Sequence, residues 1–572
     1  MKNKISFIAC LIIGVVLIQY RLSYSDIQSG KPLKITTWDA FGYYMYLPSA
    51  VIYNDMTELA WLPEMDSTYQ LTGGDLYQAN RHTNGNYVNK YLGGISIMQA
   101  PFFFVAHLIA INSHYNADGF SPPYQYAIAF AAIFYCLLGL FLLRAILLKY
   151  YQDRSVALSI LMLGLATNLI QYVSIDSAMS HAYIFPLYVF VIFTTIKWHE
   201  SPHLKWAILT GLIIGIATIS RPTEAIMLFI PLLWNMETKE ASKAKWKLVK
   251  SNRKHVLFAI FFGVLGVAPQ LIYWKMTSGS FVYDVGSKWF FLNPYFRVLF
   301  GFENGWFIYT PITVLFVLGF FFIKRFPFRK SVIVFCLLNI WIVISWSDWK
   351  YGATYSTRAL VQSYPVFMLA FTGFVEWTLS KKLRIAFLGI FGFLIYANLF
   401  QIWQYNETIL HYRDMNRSYY SRIYLNANPT PLDMSLLDTD EVLKSESDYN
   451  KNVLYSGDTA MLIANIGDYP DIIAQGHIFS TKEDWIKVEL TLRAKEGYAS
   501  SYINCKIQSG EKVKEKLFRM PNAMNKANEE NDYEFYVVVP DGFKNPEILV
   551  FTTSFTHFSG VVERVELIHL GK

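Results

Sequence analysis

The chain has 572 residues, of which 53% are hydrophobic, 17% aromatic and only 16% charged, with a formal charge of +7. Soluble proteins carry about 25% charged residues, so a wholly soluble globular protein is excluded. The basic excess falls in short loops between apolar runs, which is the pattern of membrane topology and speaks against nucleic acid as a partner. Cys10, Cys136, Cys336 and Cys505 are far apart, with no metal or redox spacing and no disulfide framework.

The N-terminus reads Met1-Lys-Asn-Lys4 and then an apolar run to about Tyr20. No small-residue cleavage pattern follows, so this run is read as a retained first helix. Further runs fall near 92–111, 124–148, 155–174, 181–197, 206–220, 222–236, 256–276, 306–323, 331–346, 360–379 and 385–403. Crossing a bilayer takes about 20 apolar residues in a helix. The loop charges decide the status of 92–111. With that run juxtamembrane or re-entrant, about eleven spans remain and roughly twenty Lys and Arg fall on the inner side. The inner groups include Arg144, Lys149, Arg154, Lys197, Lys205, the basic stretch 239–254, Lys324-Arg325, Arg329-Lys330 and Lys381 to Arg384. Making 92–111 a full span would invert every later loop.

This topology puts 38–90, 174–181, 220–223, 279–309 and 347–358 outside, and those loops are rich in acids, aromatics, Gly and isolated cations. Chemistry is therefore expected on the outer face. The domain reading is 1–404 for the membrane part, with a first outer loop of about 21–123, a linker at 405–440 and a soluble domain at 441–572. In that last region Trp485–Arg493, Tyr533–Val539, Glu547–Thr552 and Val561–Leu570 alternate with period two between turn signals. That predicts an antiparallel β-sandwich of about 120 residues. An odd number of spans places it outside, as a glycan-binding module or a structural cap.

Several outer-loop residues are candidates. Asp39 opens Trp38-Asp-Ala-Phe-Gly-Tyr-Tyr-Met-Tyr-Leu-Pro48 directly after the first span. A carboxylate at the membrane surface suits a general base or a metal ligand, although it also suits a helix N-cap. Lys90 begins Lys90-Tyr-Leu-Gly-Gly94, where an ammonium meets lipid phosphate or simply snorkels. Arg221, in Ser220-Arg-Pro-Thr223, and Arg358, closing the segment from Trp346, break the positive-inside pattern. Charges at such depths are costly and tend to be functional or paired. Together with Lys90 they would hold a phosphate or pyrophosphate, with ion pairs to Asp176, Asp284 or Asp348 as the competing structural reading. Tyr43, Tyr44, Arg81, His181, Lys288, Trp349 and Lys350 are further candidates for substrate contact, since sugar rings stack on aromatic faces. No phosphate-cradling loop, zinc motif or nucleotide fingerprint is present.

The 38–48 motif, Lys90–Gly94 with Ala100-Pro101, Ser220-Arg-Pro222 and the 346–358 segment occur in order. Over roughly residues 1–405 they resemble the GT-C class of membrane glycosyltransferases, within the group that includes protein O-mannosyltransferases and lipid A aminoarabinose transferases. The resemblance implies a multi-helix bundle with its active site at the outer membrane–water interface of a cytoplasmic membrane. It implies a polyprenyl-phosphate sugar donor and a protein, lipid A or glycan acceptor. Asp39 matches the family's acid, as catalytic base or acceptor-orienting group, and Lys90 matches its donor-phosphate lysine. Arg221 and Arg358 are matched as further phosphate partners. Many relatives have adjacent acids in this loop, whereas Ala40 follows Asp39 here. No cofactor is therefore firmly implied, although a divalent metal ion is compatible with the resemblance. The competing classes are a transporter or flippase of lipid-linked glycans and a non-catalytic glycan-binding membrane protein. Few ionisable residues at span centres, and no internal repeat, favour the enzyme.

Overall fold

The computed structural model describes residues 3–24, 33–458, 460–466, 469–479 and 484–572. Residues 25–32, part of the first outer loop as read above, lie outside the described residues. The chain divides into two compact units, Met1–Leu399 and Phe400–Lys572.

The first unit is a helical bundle. Among the described residues, seven helices are long and apolar enough to cross a membrane: Lys4–Ser23, Gly94–Ile111, Pro122–Leu147, Ser180–Glu200, Arg253–Ser278, Arg358–Leu379 and Arg384–Asn406. Leu204–Thr218, Pro222–Leu233 and Ile312–Phe322 are shorter apolar helices. Several apolar runs are thus broken for identifiable reasons. The 155–174 run gives a helix only over Asp153–Leu165, before a π-turn at Gln171–Ile175. Pro311 interrupts the 306–323 run, leaving Trp306–Tyr309 and Ile312–Leu318 as separate pieces. The segment 92–111 is helical over Gly94–Ile111 and meets the length and composition of a span.

The segment after the first helix folds on the bundle as short helices, Asp39–Tyr44 and Tyr46–Val51, and a small hairpin pairing Ala79–Arg81 with Tyr87–Asn89. Phe41, Tyr44, Trp61, Phe103, Phe120 and Tyr124 form one apolar cluster that seats these helices against Gly94–Ile111 and Pro122–Leu147. Burial of that aromatic mass gives the loop a core of its own, at about 25 cal/mol per Å² of apolar surface.

The second unit is a β-sandwich. One antiparallel sheet runs Asn531–Val538, Trp485–Glu496, Phe558–Gly571, Met461–Ile466, Tyr469–Pro470, with Asn450–Gly457 also on Phe558–Gly571. The other runs Ile472–His477, Glu547–Ser554, Ser501–Ser509, Lys512–Arg519. The four predicted strands all form. Ile486, Val488, Leu490 and Leu492 point inward together, each at most 3% exposed, because period two is the repeat of a strand with one buried face. The remaining strands were not anticipated, since Lys512–Arg519 and Asn450–Gly457 carry charges on a mostly solvated surface.

Candidate functional site

Asp39 starts its short helix directly after Trp38, whose backbone is left-handed at φ 55°. A non-glycine residue there is strained, and such strain persists only where the surroundings over-determine it. Trp38 N–H donates to Leu71 O at 2.9 Å, Gln78 Nε2 donates to Trp38 O at 3.1 Å, and the indole lies over Gly73. The carboxylate is aimed by this clamp.

Three donors meet Asp39. Tyr77 Oη donates to Oδ1 at 2.8 Å, Tyr91 Oη donates to the same oxygen at 2.6 Å, and Arg358 Nη2 donates to Oδ2 at 2.7 Å. Gly42, one turn on from Asp39, makes the Tyr91 contact feasible: a Cβ at that position would overlap the Tyr91 ring. Asn89 fastens the arrangement, donating from Nδ2 to Gly42 O at 2.7 Å and accepting from Tyr91 N–H at 2.9 Å. Burial alone would raise the Asp39 pKa, but the Arg358 charge and the Tyr91, Arg358 and Tyr77 hydrogen bonds outweigh it and hold it below its ordinary 3.8. Burial and the facing carboxylate push the Tyr91 and Tyr77 phenols up, so both stay donors. With Oδ1 filled twice and Oδ2 once, and the side chain still 27% exposed, Oδ2 keeps a lone pair free.

Arg358 begins the 3₁₀ turn Arg358–Ser363 and is held by the preceding loop. Thr357 Oγ1 donates to Val298 O at 2.8 Å, Thr310 Oγ1 donates to Ser356 Oγ at 2.9 Å, and Asn304 Nδ2 donates to Lys350 O at 2.8 Å. Tyr351, Gly352 and Ser356 all have positive φ in this stretch. The partner of Arg358 is Asp39, and not Asp176, Asp284 or Asp348. Asp284 instead accepts from Gly286 N–H in its own loop, and Asp176 accepts from Gln171.

Lys90 and Arg221 approach through the backbone. Gly94 N–H donates to Ile219 O at 2.8 Å, and a Cβ on Gly94 would strike Ser220. This explains why a glycine pair ends the Lys90 motif: it lets that segment lie on the turn carrying Arg221. Among the described residues neither the Lys90 ammonium nor the Arg221 guanidinium has a hydrogen bond or ion pair, while Arg221 and Arg358 both act electrostatically on Tyr351. Arg221 lies within electrostatic reach of the buried Glu224 carboxylate, and Arg221, Arg358 and Asp39 all act on His181.

The other candidates sort differently. His181 is buried, within electrostatic reach of Asp39, Arg221 and Arg358, and its Nδ1 lies 2.8 Å from Gln362 Oε1. Tyr43 packs edge-on against Tyr91 at 4.8 Å. Tyr44 is wholly buried, with Oη donating to Gly119 O at 2.5 Å, so its hydroxyl is used within the core. Arg81 is exposed on the hairpin and Lys288 is exposed in the 279–309 loop. Trp349 stacks on Tyr295, with Arg297 and Lys350 near its face. A bridge between Trp289 and Trp346 joins the two aromatic loops. Sequence reasoning did not single out Tyr77, Gln362 or Glu224. Tyr91 lay inside a quoted motif, but the chemistry was assigned to its neighbour Lys90.

A divalent metal ion does not fit here. Asp39 is surrounded by two phenol donors and a guanidinium, and among the described residues no three His, Cys, Asp or Glu side chains converge.

No protein-family model matches the chain, and no curated protein matches it. Among solved structures it is similar to the archaeal oligosaccharyltransferase AglB from Archaeoglobus fulgidus in complex with an inhibitory peptide and a dolichol-phosphate, at 10% identity and a TM-score of 0.43. That alignment covers 77% of this chain and 61% of the other. It is also similar to the arabinosyltransferase EmbB from Mycobacterium smegmatis, at 10% identity and a TM-score of 0.38 over 97% of this chain and 64% of the other. The chain spans about six tenths of the length of these structures.

Proposed function

We propose that this protein is a membrane glycosyltransferase that moves a sugar from a polyprenyl-phosphate donor to an acceptor on the outer face of a cytoplasmic membrane. The observation that carries this reading is the three-fold hydrogen-bonded Asp39 paired with Arg358, with Arg221 in the same electrostatic neighbourhood around His181. A lipid phosphate would be held by Arg221, which forms no ion pair among the described residues, and by Lys90 as the resemblance implies. An acceptor hydroxyl occupies the free lone pair of Asp39 Oδ2, which orients it toward the anomeric carbon.

As the new C–O bond forms, the bond from the anomeric carbon to the phosphate oxygen breaks and its electron pair leaves on the lipid phosphate. Lys90 and Arg221 stabilise that growing negative charge. The attacking oxygen becomes oxonium-like and far more acidic than a carboxylic acid. Asp39 can therefore take its proton late in the step despite a depressed pKa. Arg358 is here a positioning residue that holds Asp39, in place of the direct phosphate contact expected from the sequence. Protein, lipid A or glycan acceptors all present a suitable hydroxyl or amine.

The test is transfer of radiolabelled sugar from a panel of polyprenyl-phosphate sugars by purified full-length protein and its Asp39→Asn variant. Transfer or slow donor hydrolysis by wild type alone supports the reading. Lipid movement across proteoliposomes, with no turnover of any donor, would assign the chain to the transporters instead.

A further inference from the structure

A buried polar relay lies behind the site and ends on one histidine. Glu224, 2% exposed, accepts from Tyr188 Oη and, at 3.0 Å, from Gln362 Nε2. The same amide nitrogen donates to Ala359 O at 2.8 Å. Both Gln362 amide hydrogens are therefore committed, one of them to a backbone carbonyl that can only accept. Flipping the amide would set its oxygen against that carbonyl and the Glu224 carboxylate, so the orientation is forced by chemistry. Gln362 Oε1 then faces His181 Nδ1 at 2.8 Å and requires a hydrogen on it.

It follows that the neutral imidazole carries its proton on Nδ1 and a bare lone pair on Nε2. Tyr172 packs edge-on against the ring at 5.1 Å and fixes its plane, and is itself held by Thr354 and Tyr355. His181 is 1% exposed, yet Nε2 has no hydrogen-bond partner among the described residues. Arg221, Arg358 and Asp39, components of the site above, act electrostatically on the ring. Nε2 is not one of the fully enclosed polar atoms that lack a partner, so it keeps contact with accessible space where a donor can reach it.

Resting on the function proposed above, we infer that His181 Nε2 accepts a hydrogen bond from a hydroxyl of the bound sugar, with Gln362 and Glu224 as positioning residues that lock the tautomer. The phosphate cannot be the partner, because a phosphate diester at neutral pH has no hydrogen to donate. The site thereby distinguishes a hydroxylated sugar from the lipid phosphate alone.

The first arm is nitrogen-15 NMR of full-length protein labelled at histidine in nanodiscs, with the His181 signals assigned by their loss in His181→Phe. A protonated Nδ1 and bare Nε2 are expected, with mixed tautomers in Gln362→Met; a protonated Nε2 in the wild type overturns the inference without touching the functional reading. The second arm measures binding of undecaprenyl phosphate and of undecaprenyl-phosphate sugars (mannose, glucose and arabinose) to wild type and His181→Phe. The variant is expected to bind undecaprenyl phosphate unchanged and to lose roughly tenfold of the sugar-dependent gain in affinity. An equal sugar-dependent gain in both proteins sinks the inference alone, whereas no binding of any of these lipids by wild type removes the functional reading and this inference together.

Discussion

The two units use charge in opposite ways. In the sandwich, Lys487 is ringed by Glu446, Glu489 and Glu534 at 2.8, 2.7 and 3.0 Å, and Glu446 also pairs with Lys451 and accepts from Tyr536. Each charge of that cluster is paired with another charge of the cluster. In the helical unit Asp39 is answered by Arg358 and Arg221 acts on the buried Glu224, but neither Lys90 nor Arg221 forms an ion pair among the described residues. Matched charge marks structure; unmatched charge in a partly buried place marks a site.

The sharpest way to break this comparison is Asp39→Asn. On the proposed function it should lower transfer by about 10³-fold or more, in the range seen when one electrostatic partner of a transition state is removed. Thermal stability in detergent should fall modestly as Arg358 loses its counter-ion, and a turnover within tenfold of wild type would refute the assignment. Next in size, Lys90→Ala with Arg221→Ala should weaken undecaprenyl phosphate binding by roughly a hundredfold, two charge-assisted contacts at about 1.5 kcal/mol each. Retention of full affinity in the double variant would place the phosphate elsewhere.

Gly42→Ala should force Tyr91 off Asp39 and cost roughly tenfold in kcat, the value of one hydrogen bond to a charged group. The further change Tyr91→Ala should add little to that loss, because the hydrogen bond it removes is already gone, and such non-additivity would sharpen the reading. A pH profile follows from the depressed Asp39 pKa. Its stabilising contribution is complete above the ordinary value of 3.8 and is lost as pH falls through the lower folded value. Transfer should therefore show no acid limb from Asp39 between pH 7 and about 4. A limb centred near pH 6 would assign the titrating role to another group.

The smallest effect belongs to the sandwich. Lys487→Met should leave transfer unchanged and lower the unfolding midpoint of the second unit by a few degrees, the consequence of about 1–2 kcal/mol lost from a half-buried ion cluster. Glu446, held down to about 2 by Lys451, Lys487 and Tyr536 against the cost of burial, makes the same cluster acid-sensitive. Its contribution is whole above 4.5 and disappears as pH falls toward 2.

Periodicity and composition determined much of this molecule, because burial in lipid or in a sheet must be written into every residue of the buried face. The helical membrane part and the four alternating strands were legible in that way, while Asp39, Lys90, Arg221 and Arg358 stood out as candidates by their place beside apolar runs and by resemblance. What the linear order did not contain was partnership. Asp39 and Arg358 are 319 residues apart, and each could equally have met another charge. Tyr77, Tyr91, Gln362 and Glu224 are ordinary residue types until the tertiary structure brings them to Asp39 or His181. The sequence also left Tyr44 among the candidates for substrate contact, whereas packing turned its hydroxyl onto Gly119 in the core. Hydrogen bonds act over about 3 Å and have no period, so only the folded chain decides which of its polar groups meet.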